Sequence, residues 1–253
     1  MYNMKKYLCS NERGDGFGGQ FQTYVCALLY AENNNYEYVH RKIVSMEHNY
    51  SNDEKFVEKM DNLMNLEGNY KNISDVDANE IHEINIVELY NLFESEIDRY
   101  LDKESEPMKK LKEIFWKNKN KNFFDNNKKN VAIHIRRPNP HDNRLLGTDT
   151  PNSYYLNVMN EIREKNNNEN KKKELLFHIY SQGSIENFDC YKNDDVIFHI
   201  DEELTNTFIG MVASETIVSS CSSFSYAAAF LTDGDVIFPK NFWHRPKSDW
   251  ICV

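Results

Sequence analysis

The chain has 253 residues, 40% of them apolar and 13% aromatic, enough to bury one large core or two smaller ones. Its 40 acids against 30 bases leave a net charge of −10, which disfavours the broad basic face a nucleic-acid binder needs. The cysteines, Cys9, Cys26, Cys190, Cys221 and Cys252, form no CxxC pair and no zinc-ligand spacing, so they read as reduced thiols.

No stretch approaches the ~18 consecutive apolar residues of a membrane span. The start, Met1-Tyr2-Asn3-Met4-Lys5-Lys6, precedes only a short apolar run and lacks the core of a signal peptide. A cytoplasmic, soluble protein is therefore expected, with Asn72-Ile73-Ser74 an idle glycosylation sequon. Two Lys/Asn-rich stretches, Lys117–Asn130 and Lys165–Lys173, read as solvated loops or helix ends.

In chain order, Lys6–Cys9 reads as a short strand, followed by a glycine loop, Gly14–Gly19. Gln20–Glu32 has Phe21, Tyr24, Val25, Leu28 and Leu29 at helical spacing. Tyr36–Val39 reads as a strand. Asp53–Leu66, Val87–Tyr100 and Met108–Lys117 read as helices. The second half alternates more regularly. Val131–Ile135, Leu175–Tyr180, Asp195–Ile200, Thr216–Ser220 and Val236–Phe238 read as strands. Between them, Ser153–Glu164, Leu204–Ala213 and Ser223–Leu231 read as helices. This alternation predicts an α/β fold with a parallel sheet flanked by helices, whose ligands gather at the carboxyl ends of the strands.

The chemically notable residues fall at those ends. In Ile133-His134-Ile135-Arg136-Arg137, strand alternation puts His134 and Arg136 on one face, opposite Ile133 and Ile135. A buried strand ending in arginines is costly unless an anion meets them, and a guanidinium can fork onto a phosphate. The alternative is an internal partner such as Asp149 or Asp201. After Thr216–Ser220, the run Cys221-Ser222-Ser223-Phe224-Ser225-Tyr226 leads into an Ala-rich helix, with Ser222 or Ser223 as N-cap. Such a helix start suits an anion, although a plain capped helix explains it equally well. Tyr180-Ser181-Gln182-Gly183 and His199-Ile200-Asp201 also follow strands and could read a base and ribose, or simply close their loops. The glycine loop matches neither GxGxxG nor a P-loop. Asp194-Asp195 reads as a surface turn rather than a metal-binding DxD. The aromatic run Phe242-Trp243-His244-Arg245-Pro246 reads as a chain end docked on the core, with sugar stacking as the alternative.

Together these segments resemble the fucosyltransferase superfamily, above all bacterial-type α-1,2-fucosyltransferases and their α-1,6 relatives. Asp15-Gly16-Phe17-Gly18-Gly19-Gln20-Phe21-Gln22 looks like that family's GGxGNQxFQ motif. His134-Ile135-Arg136-Arg137 matches the start of HxRRxD. Cys221–Leu231 is similar to NSTFSWWAAxL. The chain also looks like glycosyltransferases of large DNA viruses, which would put it in a host cytoplasm. The resemblance implies a GT-B fold of two Rossmann-like domains facing across a cleft. These would be an acceptor-side domain over residues 1–125 and a nucleotide-sugar-binding domain over 126–253.

The resemblance further implies inverting transfer of L-fucose from GDP-fucose to a glycan hydroxyl, without metal or cofactor. Gly18, Gly19, Gln20, His134, Arg136, Arg137, Ser181, Gln182, His199, Asp201, Ser222, Ser223 and Phe224 would hold the donor, with Arg136 on its diphosphate. The base would be Asp142, just after the arginines, or Asp15 in the glycine loop. The sequence departs from the family where Pro138-Asn139 follow the arginines and where Tyr226-Ala227 replace two tryptophans. A different donor such as UDP-xylose, or a non-catalytic nucleotide- or sugar-binding module, is the alternative. No nucleic-acid partner and no membrane span are expected.

Overall fold

The alternation of strand and helix signals is realised as two α/β units in the computed structural model, which describes residues 6–49, 52–137, 149–168 and 173–253. The chain divides into one unit over Met1–Asn120 and a second over Lys121–Val253. Among the described residues, no helix is long and apolar enough to cross a membrane.

The first unit runs β1 (Tyr7–Ser10), α1 (Phe17–Asn33), β2 (Glu37–His40), α2 (Phe56–Met64), β3 (Lys71–Asn72), β4 (Ile81–Ile84), α3 (Ile86–Ser95), α4 (Ile97–Tyr100) and α5 (Glu106–Trp116). Its strands form a parallel sheet in the order β3-β2-β1-β4. All four β1 residues are buried, as a central parallel strand requires. Helix α1 is buried almost all round because it lies against β1 and β2 and is also covered by α3, α4 and α5. The opposite face of the sheet closes over Tyr7, Cys9, Val39 and Ile81, with Ile73 and Val76 packed against them.

Three sequence expectations need correction here. Helix α1 starts at Phe17 rather than Gln20, so Gly18 and Gly19 lie in its first turn rather than in a loop. The expected helix over 87–100 is two helices, broken at Glu96, whose backbone leaves the helical region at φ −124° and ψ 31°. The hydroxyl of Ser95 donates to the Leu92 carbonyl at 2.7 Å, a local bond that competes with the helix ladder. Finally, β3 and β4 were not expected: Lys71-Asn72 is too short and polar to read as a strand, and Ile81-His82-Glu83-Ile84 has two polar residues in a row.

The second unit runs β5 (Lys129–His134), α6 (Asn152–Asn167), β6 (Leu175–Ser181), a 3-10 segment over Ile185–Tyr191, β7 (Val196–Ile200), α7 (Leu204–Ala213), β8 (Thr216–Val218), α8 (Ser223–Leu231), β9 (Asp235–Phe238) and β10 (Ile251–Cys252). The six strands are parallel, in the order β10-β9-β8-β5-β6-β7. From β5 the chain builds outward through β6 to β7. It then crosses back to β8 on the other side of β5 and continues to β9 and β10. The sheet order therefore reverses between β5 and β8, which is where an open α/β sheet leaves a crevice at its carboxyl edge.

One face of this sheet buries Val131, Ile133, Ile135, Phe177 and Ile179 against Tyr155, Val158 and Met159 of α6 and Phe188 and Tyr191 of the 3-10 segment. The partner helices of the other face are α7 and α8, which pack on one another. Gly210 of α7 is required there. A Cβ at that position would lie 2.1 Å from the Tyr180 hydroxyl and 2.8 Å from Cζ of the same ring.

Candidate functional site

The carboxyl ends of β5 and β8 meet at the point where the sheet order reverses. His134, the last residue of β5, is buried, and its Nδ1 shares a 2.9 Å hydrogen bond with Oγ of Ser220, just past β8. The sequence separation is 86 residues, so only the sheet brings the two together. The His134 ring also lies 5.5 Å from that of Phe224 in α8. His134 thus faces α8, while Ile133 and Ile135 face the core against α6, as strand alternation expects.

Ser222 caps α8: its hydroxyl accepts from the Phe224 amide at 3.3 Å. The Ser222 amide donates to the Ser220 carbonyl at 2.7 Å, and the Ser220 amide donates to Oγ of Ser225 at 3.3 Å. The Cys221 amide donates to Oγ1 of Thr150 at 3.3 Å. These bonds hold the turn rigidly and direct the positive end of the α8 dipole toward the carboxyl edge. Ser223 is the first residue of the helix.

The arginines after β5 differ. Arg136 is half-buried, two residues beyond the strand. Arg137 turns toward the α6 side. Its guanidinium lies 5.7 Å from the Phe188 ring centre and donates to Oδ1 of Asn152, which also accepts from the Tyr191 hydroxyl at 2.9 Å. Arg137 is thereby anchored against the core. Asp142, the nearer candidate base, lies outside the described residues.

The remaining expected donor residues of this unit tie loops together at the ends of β6 and β7. Oγ of Ser181 donates to the Ile135 carbonyl at 2.7 Å, and Nε2 of Gln182 donates to the Arg137 carbonyl at 3.4 Å. Asp201, in the left-handed region at φ 54°, accepts from the Gly183 amide at 3.1 Å. His199 stacks on Tyr180 at 4.5 Å and 18°. Its Nδ1 faces Oε2 of Glu202 at 2.6 Å, and its Nε2 faces Nδ1 of His178 at 3.0 Å. Nε2 of His178 continues the chain to Oδ1 of Asn130 at 3.0 Å. Burial, and then the neighbouring charge of His199, lower the His178 pKa from 6.5 to about 4. Asp195 receives a two-pronged bond from Arg163, Nε at 2.7 Å and Nη2 at 2.8 Å, so the Asp194-Asp195 pair contributes a structural ion pair.

In the first unit, Asp15 follows β1 at the carboxyl edge of its sheet. It pairs with Nη2 of Arg13 and accepts from the Gly16 amide at 2.7 Å. Arg13 also donates to Oγ1 of Thr23 at 3.3 Å and to the Tyr90 hydroxyl at 2.5 Å. Gly19 leaves room for this pair, because a Cβ there would lie 2.5 Å from Oδ2 of Asp15. Gln20 is structural in the same way: its Nε2 donates to the carbonyls of Asp15 at 2.8 Å and Ser45 at 2.9 Å. Gly18 is buried in the same turn.

Arg13, Glu47 and His48 carry no signal in the sequence, although the charge of Arg13 directly before the glycine loop was an available hint. Asp15, Glu47 and His48 each bring one ligand-type atom within 4.8 Å of the others. The guanidinium of Arg13 already occupies the Asp15 carboxylate, and its charge opposes a cation there.

No family model and no curated protein sequence matches the chain. Among solved structures it is similar to the fucosyltransferase NodZ from Bradyrhizobium, at 10% identity and a TM-score of 0.47, over 90% of this chain and 94% of that one. It is also similar to the NodZ α-1,6-fucosyltransferase co-crystallized with GDP, at 11% identity and a TM-score of 0.46, over 95% and 97% of the two chains. The same enzyme soaked with GDP-fucose gives 13%, 0.44, and 90% and 93%. The likeness is loose.

Proposed function

We propose that this chain is a nucleotide-sugar-dependent glycosyltransferase whose second unit holds the donor diphosphate between the ends of β5 and β8. The observation that carries the reading is the meeting, at the reversal of the sheet order, of His134 bonded to Ser220 with the capped start of α8. Arg136 follows β5 at the same edge. A guanidinium and a helix N-terminus are the two groups that best stabilise charge developing on a departing diphosphate. Ser222, Ser223 and Phe224 line the helix end, while Arg137 acts through packing.

The donor we propose is GDP-fucose, on the resemblance of the three sequence motifs. The fold would be GT-B. An acceptor glycan hydroxyl attacks the anomeric carbon from the face opposite the leaving diphosphate, with inversion, while a carboxylate accepts its proton. Asp142 and Asp15 are the candidates for that carboxylate. Arg13 and the Gly16 amide fix the Asp15 carboxylate in position.

A thermal-shift panel with GDP, UDP and TDP tests the reading. Ligand at a hundred times its Kd stabilises the native state by about 2.7 kcal/mol. GDP should raise the melting temperature most, and Arg136→Ala should weaken that binding by about ten- to a hundredfold through loss of a charge-assisted bond. Asp142→Asn should retain nucleotide binding but lose turnover; if turnover survives, Asp15 becomes the base. Preference for UDP or TDP refutes the GDP-fucose donor. No response to any of the three refutes the nucleotide site, and binding without slow donor hydrolysis favours a non-catalytic module.

A further inference from the structure

The segment after β9 separates its aromatic residues into buried and exposed ones. His244 is buried and stacks face to face on Tyr226, 4.5 Å apart and 5° from parallel. Phe242 packs edge-on against Tyr226 at 6.1 Å and at a tilt against Phe238 at 5.9 Å. Trp243, between them, is 77% exposed, whereas the other two tryptophans of the chain, Trp116 and Trp250, are buried.

The exposed ring is nonetheless held. It stacks on Phe242 at 5.3 Å and 23° and meets His244 edge-on at 5.5 Å. Both neighbours are rooted in Tyr226, whose hydroxyl donates to the Arg245 carbonyl at 2.7 Å. Tyr226 belongs to the first turn of α8, the helix whose start carries Ser222 and Ser223. Trp243 is thus fixed to the helix turn assigned to the diphosphate, in a segment that follows the carboxyl end of β9, next to β8.

A rigid indole facing water, in a segment that also carries the polar residues Lys240, Asn241, Arg245 and Lys247, suits a ligand that is apolar on one face and hydroxylated at its edges. A pyranose ring is such a ligand: its axial C–H groups lie on the indole while its hydroxyls meet the surrounding polar groups. The ring is pre-organised, so binding costs little conformational entropy. We propose that Trp243 is a stacking platform for a sugar ring of a glycan, namely the acceptor of the proposed transfer. Its role as acceptor rests on the glycosyltransferase reading; the binding itself does not.

The intact protein can be tested on a printed oligosaccharide array. A parallel iodide-quenching titration would use tetrasaccharides of β-linked glucose, galactose and N-acetylglucosamine. Because Trp243 is the exposed tryptophan, it supplies the quenchable emission, and a bound glycan should protect it. Trp243→Ala should weaken array binding at least tenfold, Trp243→Phe should restore part of it, and the thermal shift with GDP should be unchanged in both. The proposal is overturned if the wild-type protein binds no glycan, or if Trp243→Ala binds as well as wild type. It is also overturned if sedimentation shows a dimer that Trp243→Ala dissolves, since the ring would then serve contact between copies of the chain. Loss of the GDP response in wild type would count against the donor site and leave the glycan result standing.

Discussion

His178 makes a quantitative pH prediction. It lies in β6, is 4% exposed, and has the Phe124 ring 4.3 Å away. Its two ring nitrogens face Asn130 Oδ1 and His199 Nε2, each at 3.0 Å. A neutral imidazole satisfies both by donating from Nε2 and accepting at Nδ1. A second proton would bury a charge and set an N–H against the His199 nitrogen. The pKa accordingly falls from 6.5 to about 4, through burial first and the charge of His199 second.

Between those values the unfolded chain binds a proton that the folded chain does not, so stability rises with pH. The contribution is complete above pH 6.5 and is lost as pH falls toward 4. At about 1.4 kcal/mol per pH unit, it amounts to about 3 kcal/mol. Urea unfolding of wild type and His178→Gln, followed by tryptophan emission from pH 7.5 down to 4, isolates it, because the other titrating groups are common to both. Wild type should lose about 3 kcal/mol more than the variant over this range. Parallel pH curves for the two proteins would refute the argument that a neutral, doubly bonded His178 is built into the sheet.

Two further substitutions probe the frame of the site. Ser222→Ala removes the side-chain cap of α8 and should cost about 1 kcal/mol, seen as a melting temperature lower by roughly 2–4 °C, whereas Ser222→Gly should cost only a few tenths. An unchanged melting temperature for Ser222→Ala would show that the cap contributes nothing. Gly234→Ala places a Cβ 2.6 Å from the carbonyl oxygens of both Ser214 and Glu215, backbone atoms that cannot swing aside. It should destabilise by about 1–3 kcal/mol in chemical denaturation, and a neutral result would mean that the turn between α8 and β9 yields more readily than its contacts suggest.

Legibility in the sequence followed the length of each signal. Helices α7 and α8 are where the sequence expected them, at Leu204–Ala213 and Ser223–Leu231, and for α8 the capping serine also marked the start. The strands of the second unit were readable because a central parallel strand is a continuous apolar run. The two-residue strands β3 and β10 were not, since their pairing comes from neighbouring strands rather than from any pattern of their own. The glycine loop misled because glycine was read as loop-forming. Gly18 and Gly19 instead lie in the first turn of α1, and Gly19 leaves space for the Asp15–Arg13 pair.

The sequence by itself determined the α/β class, the hydroxyl-rich start of α8 at Ser222, and the opposite facing of His134 and its isoleucine neighbours. Each of these is a local property, set by a period of two or of 3.6 and by which residues cap a helix. The tertiary structure alone decided that β5 and β8 are neighbours, which turns two segments 86 residues apart into one site through the bond between His134 and Ser220. It also anchored Arg137 on Asn152 and Phe188, and it left Trp243 facing solvent while its aromatic neighbours pack inward. Strand order and burial arise from contacts between residues distant along the chain, so no pattern within a short window of sequence encodes them.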